Sequence, residues 1–301
     1  MAFTIGELDY DGAAEVLGLD CSQALAPGDL AALYAAFLRY PILAIRNQQL
    51  TPQQQVAFSR QFGALEDTGN TRYYHPDEPH VLVLSNELDE RGQPLGIADA
   101  GDFLHSDLST FPEPSKMTIL QSVKHPSRGG DTEFVNMYNV YDALSDELKA
   151  QIDGKFAWHH TSKLKNPRVA ISGDRPDAAE YYKSLEERVP DVLQPVVRTH
   201  PETGRQALYV SPRFTLRIDG MDAGASEDLL RKLFAVMREP RFLWRYKWRD
   251  HDLLLWDNRC LCHRATGGYV LPDTRRMHRT SIAGDRAYYE PNAQSGKIFA
   301  A

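Results

Sequence analysis

The spacing of hydrophobic positions changes several times along the chain, and each change marks an element. From Asp29 to Tyr40 the residues Leu30, Leu33, Tyr34, Phe37 and Leu38 recur at helical steps, the stripe of an amphipathic helix. A strand-like run, Ile42-Leu-Ala-Ile-Arg46, follows. Thr51-Pro-Gln-Gln54 then opens a second helix, with an N-cap threonine, proline at the first helical position and a capping-box glutamine. Its end is expected near Phe62-Gly63, where glycine suits a C-cap. Val81–Ser85 and Met117–Val123 read as strands, and Ser226–Met237 as a helix. From Arg241 to Trp248 the period is two: Phe242, Trp244, Tyr246 and Trp248 share one face of a half-buried strand, with mostly cations opposite. Leu253–Trp256 reads as a buried strand and Arg276–Ile282 as another. Two long segments, Glu66–Asp102 (around the short Val81–Ser85 run) and Ser162–Asp191, resist assignment and are read as lid or binding loops. The fold class is α+β, mixed and β-rich, with antiparallel strands at its centre.

Composition narrows the picture. The 301 residues are 42% hydrophobic and 25% charged, the balance of a globular protein. A formal charge of −7 gives no polyanion-binding signature, which argues against nucleic acid as a partner. No apolar run approaches the roughly 20 residues that span a bilayer, and the acidic start, Met1-Ala-Phe-Thr-Ile-Gly-Glu, lacks the order of a signal peptide. Cys21, Cys260 and Cys262 are an odd count without framework spacing, so a reducing cytoplasm is expected. Assembly into a homo-oligomer stays open.

Candidate chemistry begins with His105-Ser-Asp107. In a β-strand, residues two apart share a face, so this step sets an imidazole beside a carboxylate. With His263, far along the chain, it makes the two-histidine, one-carboxylate set that holds Fe(II) and leaves positions open. A rival set, Cys260-Leu-Cys-His263, points to zinc but lacks a second close pair of ligands. His159 and His160 are adjacent, so on a strand they face opposite ways and cannot easily grip one ion. His75, His80, His125, His200, His251 and His278 read as structural or exposed. Asp257 and Asn258 read as loop residues that bond backbone near His263.

These motifs, taken in order, resemble the taurine dioxygenase and phenoxyacetate-herbicide dioxygenase family of Fe(II)- and 2-oxoglutarate-dependent oxygenases. The resemblance runs through His105-Ser-Asp107, Gly129-Gly-Asp-Thr-Glu133, Pro195-Val-Val-Arg-Thr-His-Pro201, Trp256-Asp-Asn-Arg259, His263 and Arg275-Arg-Met-His-Arg279. It implies one domain over residues 1–301 with a double-stranded β-helix (jelly-roll) core, and lid segments at 66–102 and 162–191. It implies Fe(II) on His105, Asp107 and His263, with 2-oxoglutarate and O2 as co-substrates. Thr132 and Arg275 are implied to hold the distal carboxylate of 2-oxoglutarate. Because the gap from His263 is one residue longer than expected, Arg276 is a rival; strand parity favours Arg275, which shares a face with Met277 and Arg279.

Arg279 is implied to lie between co-substrate and the acidic head group of the substrate. That points to a small anionic molecule: a sulfonate, sulfate ester, carboxylate or phenoxyalkanoate. Tyr73, Tyr74 and His75 lie in the segment that supplies substrate contacts in the taurine enzyme, and Phe103, Leu108 and Arg213 are further candidates for the pocket wall. The reaction implied is hydroxylation of a substrate C–H, with succinate and CO2 as co-products. The alternatives are a non-catalytic β-helix binding or regulatory protein and a 2-oxoglutarate-independent metalloenzyme.

Overall fold

Several strands of this chain are buried on both faces, and the layers that cover them make up the fold. The computed structural model describes residues 3–67, 73–98, 100–160 and 190–291. The chain runs β1 (Thr4–Glu7), β2 (Ala13–Leu17), α1 (Pro27–Arg39), β3 (Ile42–Ile45) and α2 (Pro52–Arg60). Next come β4 (Tyr74–His75), β5 (Glu78–Ser85), β6 (Met117–Lys124) and β7 (Thr132–Asn136). Two short helices, α3 (Met137–Asp142) and α4 (Asp146–Ile152), lead into β8 (Phe156–His159). Beyond residue 190 lie β9 (Val192–Pro195), β10 (Val197–Thr199), β11 (Gln206–Leu208), β12 (Thr215–Ile218) and α5 (Ala223–Met237). The chain then passes through β13 (Leu243–Tyr246), β14 (Leu253–Asp257), β15 (Leu261–Ala265) and β16 (Arg276–Ile282). The architecture is mixed and strand-rich.

The largest sheet has the order β1-β2-β3-β14-β6-β16-β5-β4, antiparallel except for the β2–β3 pair. A three-stranded sheet, β13-β7-β15, packs against its inner face. Leu254 and Trp256 of β14 share that inner core with Phe134 and Val135 of β7. Leu253 and Leu255 point the other way, to Leu33 and Phe37 of α1 and Phe58 of α2. Strand β3 divides likewise, Ile42 and Ala44 inward, Leu43 and Ile45 toward the helices. Covering both faces removes the need for polar alternation, which is why these strands read as continuous apolar runs. Each fully buried leucine contributes roughly 1.5–3 kcal/mol over an exposed one.

Local signals place most elements. Helix α1 starts two residues before the expected Asp29, with Pro27 in its first turn, and stops before Pro41. The capping box of α2 is present: Thr51 Oγ1 accepts from Gln54 N (3.2 Å) and Gln54 Oε1 from Thr51 N (2.8 Å). Helix α5 begins at Ala223 because Asp222 caps it, accepting from Gly224 N at 2.9 Å. The aromatic strand is shorter than expected: Pro240–Phe242 form a 3-10 turn before β13, while Phe242, Trp244, Tyr246 and Trp248 do face the inner core. The structure corrects the reading of Glu66–Asp102 as largely unassigned, since β4 and the eight-residue β5 lie within it and pair into the large sheet. The Ser162–Asp191 segment falls, but for its last two residues, outside the described residues. No helix among those described is long and apolar enough to cross a membrane.

His159 and His160 are both buried, with the His159 ring between Thr215 Oγ1 (3.1 Å) and Ser109 Oγ (3.4 Å). Burial pushes the His159 imidazole down to about 3. An unfolded imidazole takes its proton near about pH 6.5. Between those values the unfolded chain binds the proton and the folded one does not. Stability from this group is therefore complete above that range and lost as pH falls through it, by up to about 1.4 kcal/mol per pH unit. Urea unfolding at a series of pH values should show this acid slope, and His159→Gln should make it shallower. Parallel slopes in the two proteins would remove His159 from the account.

Candidate active site

His105 enters the core by pairing with a distant strand. Its N–H donates to the His263 carbonyl (3.0 Å), and its own carbonyl accepts from the His263 N–H (2.8 Å). Residues directly opposed in an antiparallel pair carry their side chains on one face, and the two ring centroids lie 4.3 Å apart. The strand expected over His105–Asp107 is corrected to one bridge residue followed by a turn. Leu108, at φ 54°, is in the left-handed region and ends the extended run. The carboxylate still arrives beside the imidazoles: Asp107 Oδ1 is 3.6 Å from His105 Nε2, and Oδ2 is 3.8 Å from His263 Nε2. One ligand atom from each residue lies within 4.8 Å of the others, and no other such group occurs among the described residues. Neither Cys260 nor Cys262 belongs to it; both are free and buried.

The protonation states suit a metal. His105 Nδ1 is 2.8 Å from the Phe103 carbonyl, which can only accept, so Nδ1 carries a hydrogen and Nε2 is the nitrogen turned toward Asp107. Burial, helped by neighbouring His105, pushes His263 down to about 3 and keeps it neutral. Burial also opposes charge on Asp107, but Arg279, His263 and His105 outweigh it and hold the carboxyl well below its usual range. Two imidazoles and one carboxylate converging in this way fit Fe(II).

Beside the three residues is a cavity of about 40 Å³, walled by Leu84, Ala100, Gly101, Leu120, Thr132, Trp256, Ala265, Arg275 and Arg279. Arg275 is buried, its Nε donating to the Gly130 carbonyl at 3.1 Å. No carboxylate among the described residues pairs with it, and burial pulls its guanidinium below the ordinary value. Arg276 does not line this cavity; it is ion-paired with Glu87 at 2.5 Å. Gly130, at φ 69°, lets the chain pass this close, since a Cβ there would meet Arg275 Cδ at 3.2 Å. Thr132 Oγ1 accepts from Trp248 Nε1 at 2.9 Å, which leaves its own hydrogen to donate into the cavity. Arg279 is partly exposed there, with Nη1 3.2 Å from Asp107 Oδ1.

Other candidates lie apart. Phe103 and Arg213 line a second cavity of about 740 Å³ between β12 and α5. Arg213 is 3.7 Å from Asp102 and lies over the Phe103 and Phe214 rings, and Phe214 meets His105 edge-on at 5.6 Å. Tyr73, Tyr74 and His75 are not on the wall of the smaller cavity. Tyr74 pairs with Leu82 at the sheet edge, and His75 packs on His278 at 5.3 Å. Trp248, Thr118 and Gly101 escaped the sequence reading. Alternation turned Trp248 inward, but its partner Thr132 is visible only once β13 lies beside β7.

Comparison with known proteins agrees with this geometry. Residues 5–281 match the family model described as Taurine catabolism dioxygenase TauD, TfdA family. The (S)-phenoxypropionate/alpha-ketoglutarate-dioxygenase of Sphingobium herbicidovorans is 34% identical over 291 residues, spanning 95% of this chain and 96% of the relative. A taurine dioxygenase from Burkholderia xenovorans superposes with TM-score 0.77 at 31% identity, covering 98% of this chain and 95% of that one. The crystal structure of AAD-2 in complex with Mn(II) and N-oxalylglycine gives TM-score 0.78 at 31% identity, covering 96% of this chain and 100% of that one. The chain belongs to the TauD, TfdA family. It is a 2-oxoglutarate-dependent dioxygenase, and its cofactor and co-substrates are Fe(II), 2-oxoglutarate and O2.

The turn that delivers His263 is held by a buried ion cluster. Arg259 grips Asp257 through two bonds of 2.8 and 2.7 Å, His200 Nε2 adds a third at 3.1 Å, and Glu202 takes the other guanidinium nitrogen. Burial opposes the charge on Asp257, but Arg259 and His200 keep the carboxyl well below its ordinary range. Arg259→Met leaves that charge buried without its main partner, at a cost of about 3–5 kcal/mol. Chemical denaturation measures it; a loss no greater than that of an exposed ion pair would contradict this account.

Proposed function

We propose that the protein hydroxylates a small anionic organic substrate while converting 2-oxoglutarate to succinate and CO2. The observation that carries this reading is Arg275: a buried cation without a carboxylate ion pair among the described residues, facing the same small cavity as His105 and His263. A buried charge is costly unless something compensates it, and a dicarboxylate spanning from the metal to Arg275 supplies that compensation.

In this reading His105, Asp107 and His263 hold the iron, which when bound supplies the means of activating O2. Thr132 donates its hydroxyl and Arg275 its planar fork to the far carboxylate of 2-oxoglutarate, the geometry at which arginine exceeds lysine. The Gly130 carbonyl fixes the Arg275 side chain, and Trp248 fixes the direction of the Thr132 hydroxyl. Arg279 meets the acidic head group, so the substrate classes are sulfonates, sulfate esters, carboxylates and phenoxyalkanoates. Relatives that act on phenoxypropionate or taurine support an acidic substrate. When the hydroxylated carbon bears a sulfonate, sulfate or aryloxy group, the product collapses and that bond breaks. Ala100 and Gly101, at the end of the 66–102 segment, exclude water on one side. The two packed sheets form the double-stranded β-helix of one catalytic unit, working in the cytoplasm.

A succinate-release screen with Fe(II) and 2-oxoglutarate over those four classes tests the reaction. Arg275→Leu should raise the KM for 2-oxoglutarate about 10-fold or more, the value of a charge-assisted hydrogen bond. Arg276→Ala should leave it near wild type, and equal effects in the two variants would overturn the assignment. Arg279→Ala should lower kcat/KM for the best anionic substrate, and full retention of activity would exclude its head-group role.

A further inference from the structure

We propose that Thr118 and Asn258 are positioning residues, forming a relay of fixed polarity that sets the orientation of the Asp107 carboxylate. The inference rests on the reading of Asp107 as a metal ligand.

The polarity follows from chemistry alone. The Trp256 indole N–H can only donate, and it reaches Asn258 Oδ1 at 2.9 Å. This settles the two ends of the amide: Oδ1 faces the indole, and Nδ2 faces Thr118, 2.8 Å away. An amide nitrogen only donates, so Thr118 Oγ1 accepts from it and must give its own hydrogen elsewhere. The receiving atom is Asp107 Oδ2, at 2.6 Å. The Asp107 backbone N–H also lies 3.4 Å from Asn258 Oδ1, so the relay touches the same residue twice. Thr118 pairs with Trp256 across the β6–β14 ladder, and Asn258 lies two residues beyond Trp256. Thr118 and Asn258 are completely buried, which keeps bulk water from taking over their bonds.

An aspartate needs such a device. The last torsion of its side chain is broad, so nothing within the residue chooses which oxygen points where. The short bond from Thr118 pins Oδ2, and Oδ1 is left between Arg279 Nη1, 3.2 Å away, and His105 Nε2, 3.6 Å away. Outer groups of this kind orient ligands and change metal affinity by about 10- to 100-fold.

The test is anaerobic metal binding by the full-length protein. Fe(II) affinity is measured by chelator competition, together with the visible charge-transfer band that appears on adding 2-oxoglutarate. Thr118→Val, near in shape but without the hydroxyl, should bind Fe(II) about 10-fold or more weakly and give a displaced band. Thr118→Ser should restore both, and Asn258→Ala should fall between. Asp107→Ala should abolish tight binding; if it does not, the ligand reading itself fails. If Asp107→Ala loses the metal while Thr118→Val matches wild type in affinity and band, Thr118 only packs and the relay is refuted. Should Thr118→Val fold poorly, Thr118→Ala against Thr118→Ser decides the same point, and equal affinities refute the relay.

Discussion

Two backbone hydrogen bonds between His105 and His263 hold the rest of the site in order. They tie a turn from the first half of the chain to the edge of β15 and leave two imidazoles on one face. Asp107 follows because it is two residues on, and Thr118 meets it because β6 lies beside β14. Backbone pairing suits this task. It fixes position without spending side-chain chemistry, and buried main-chain groups must be paired in any case.

Much of this was legible in the sequence, and the limits have physical causes. Helices α1 and α2 announce themselves through local spacing and a capping box, both set by neighbours three or four residues apart. The strands Ile42–Ile45 and Leu253–Asp257 show as apolar runs, but their adjacency does not, since the pairing joins residues some two hundred positions apart. The triad was readable because a metal restricts ligand types sharply. The strand expected beneath His105 and Asp107 was wrong in detail, because Leu108 turns the chain at once. The gap after His263 left Arg276 as a rival to Arg275, and strand parity favoured Arg275. The structure separates them by surroundings, one facing the cavity near Thr132 and the other held by Glu87.

Charge is distributed with similar economy. Against its burial, Asp107 is kept ionised chiefly by Arg279, and it accepts a bond from the Thr118 hydroxyl; Asp257 is kept so by an arginine and a histidine, and Glu133 by Arg245 and Arg264. Arg275 differs: among the described residues its side chain has the Gly130 carbonyl and Tyr269 as partners, and the nearby Asp131 makes no ion pair with it. A charge left uncompensated in an otherwise well-paired interior marks the place where a ligand belongs.

The order of strands in the large sheet also has a consequence for the life of the polypeptide. The residues that wall the cavity run from Leu84 to Arg279, and β16, which carries Arg279, lies between β6 and β5. During synthesis His105 and Asp107 lack His263 until β15 has emerged, and the cavity lacks Arg275 and Arg279 until the segment of β16 has followed and inserted. Such non-local closure is slow to form, so the cavity is completed only when nearly the whole sheet has been made.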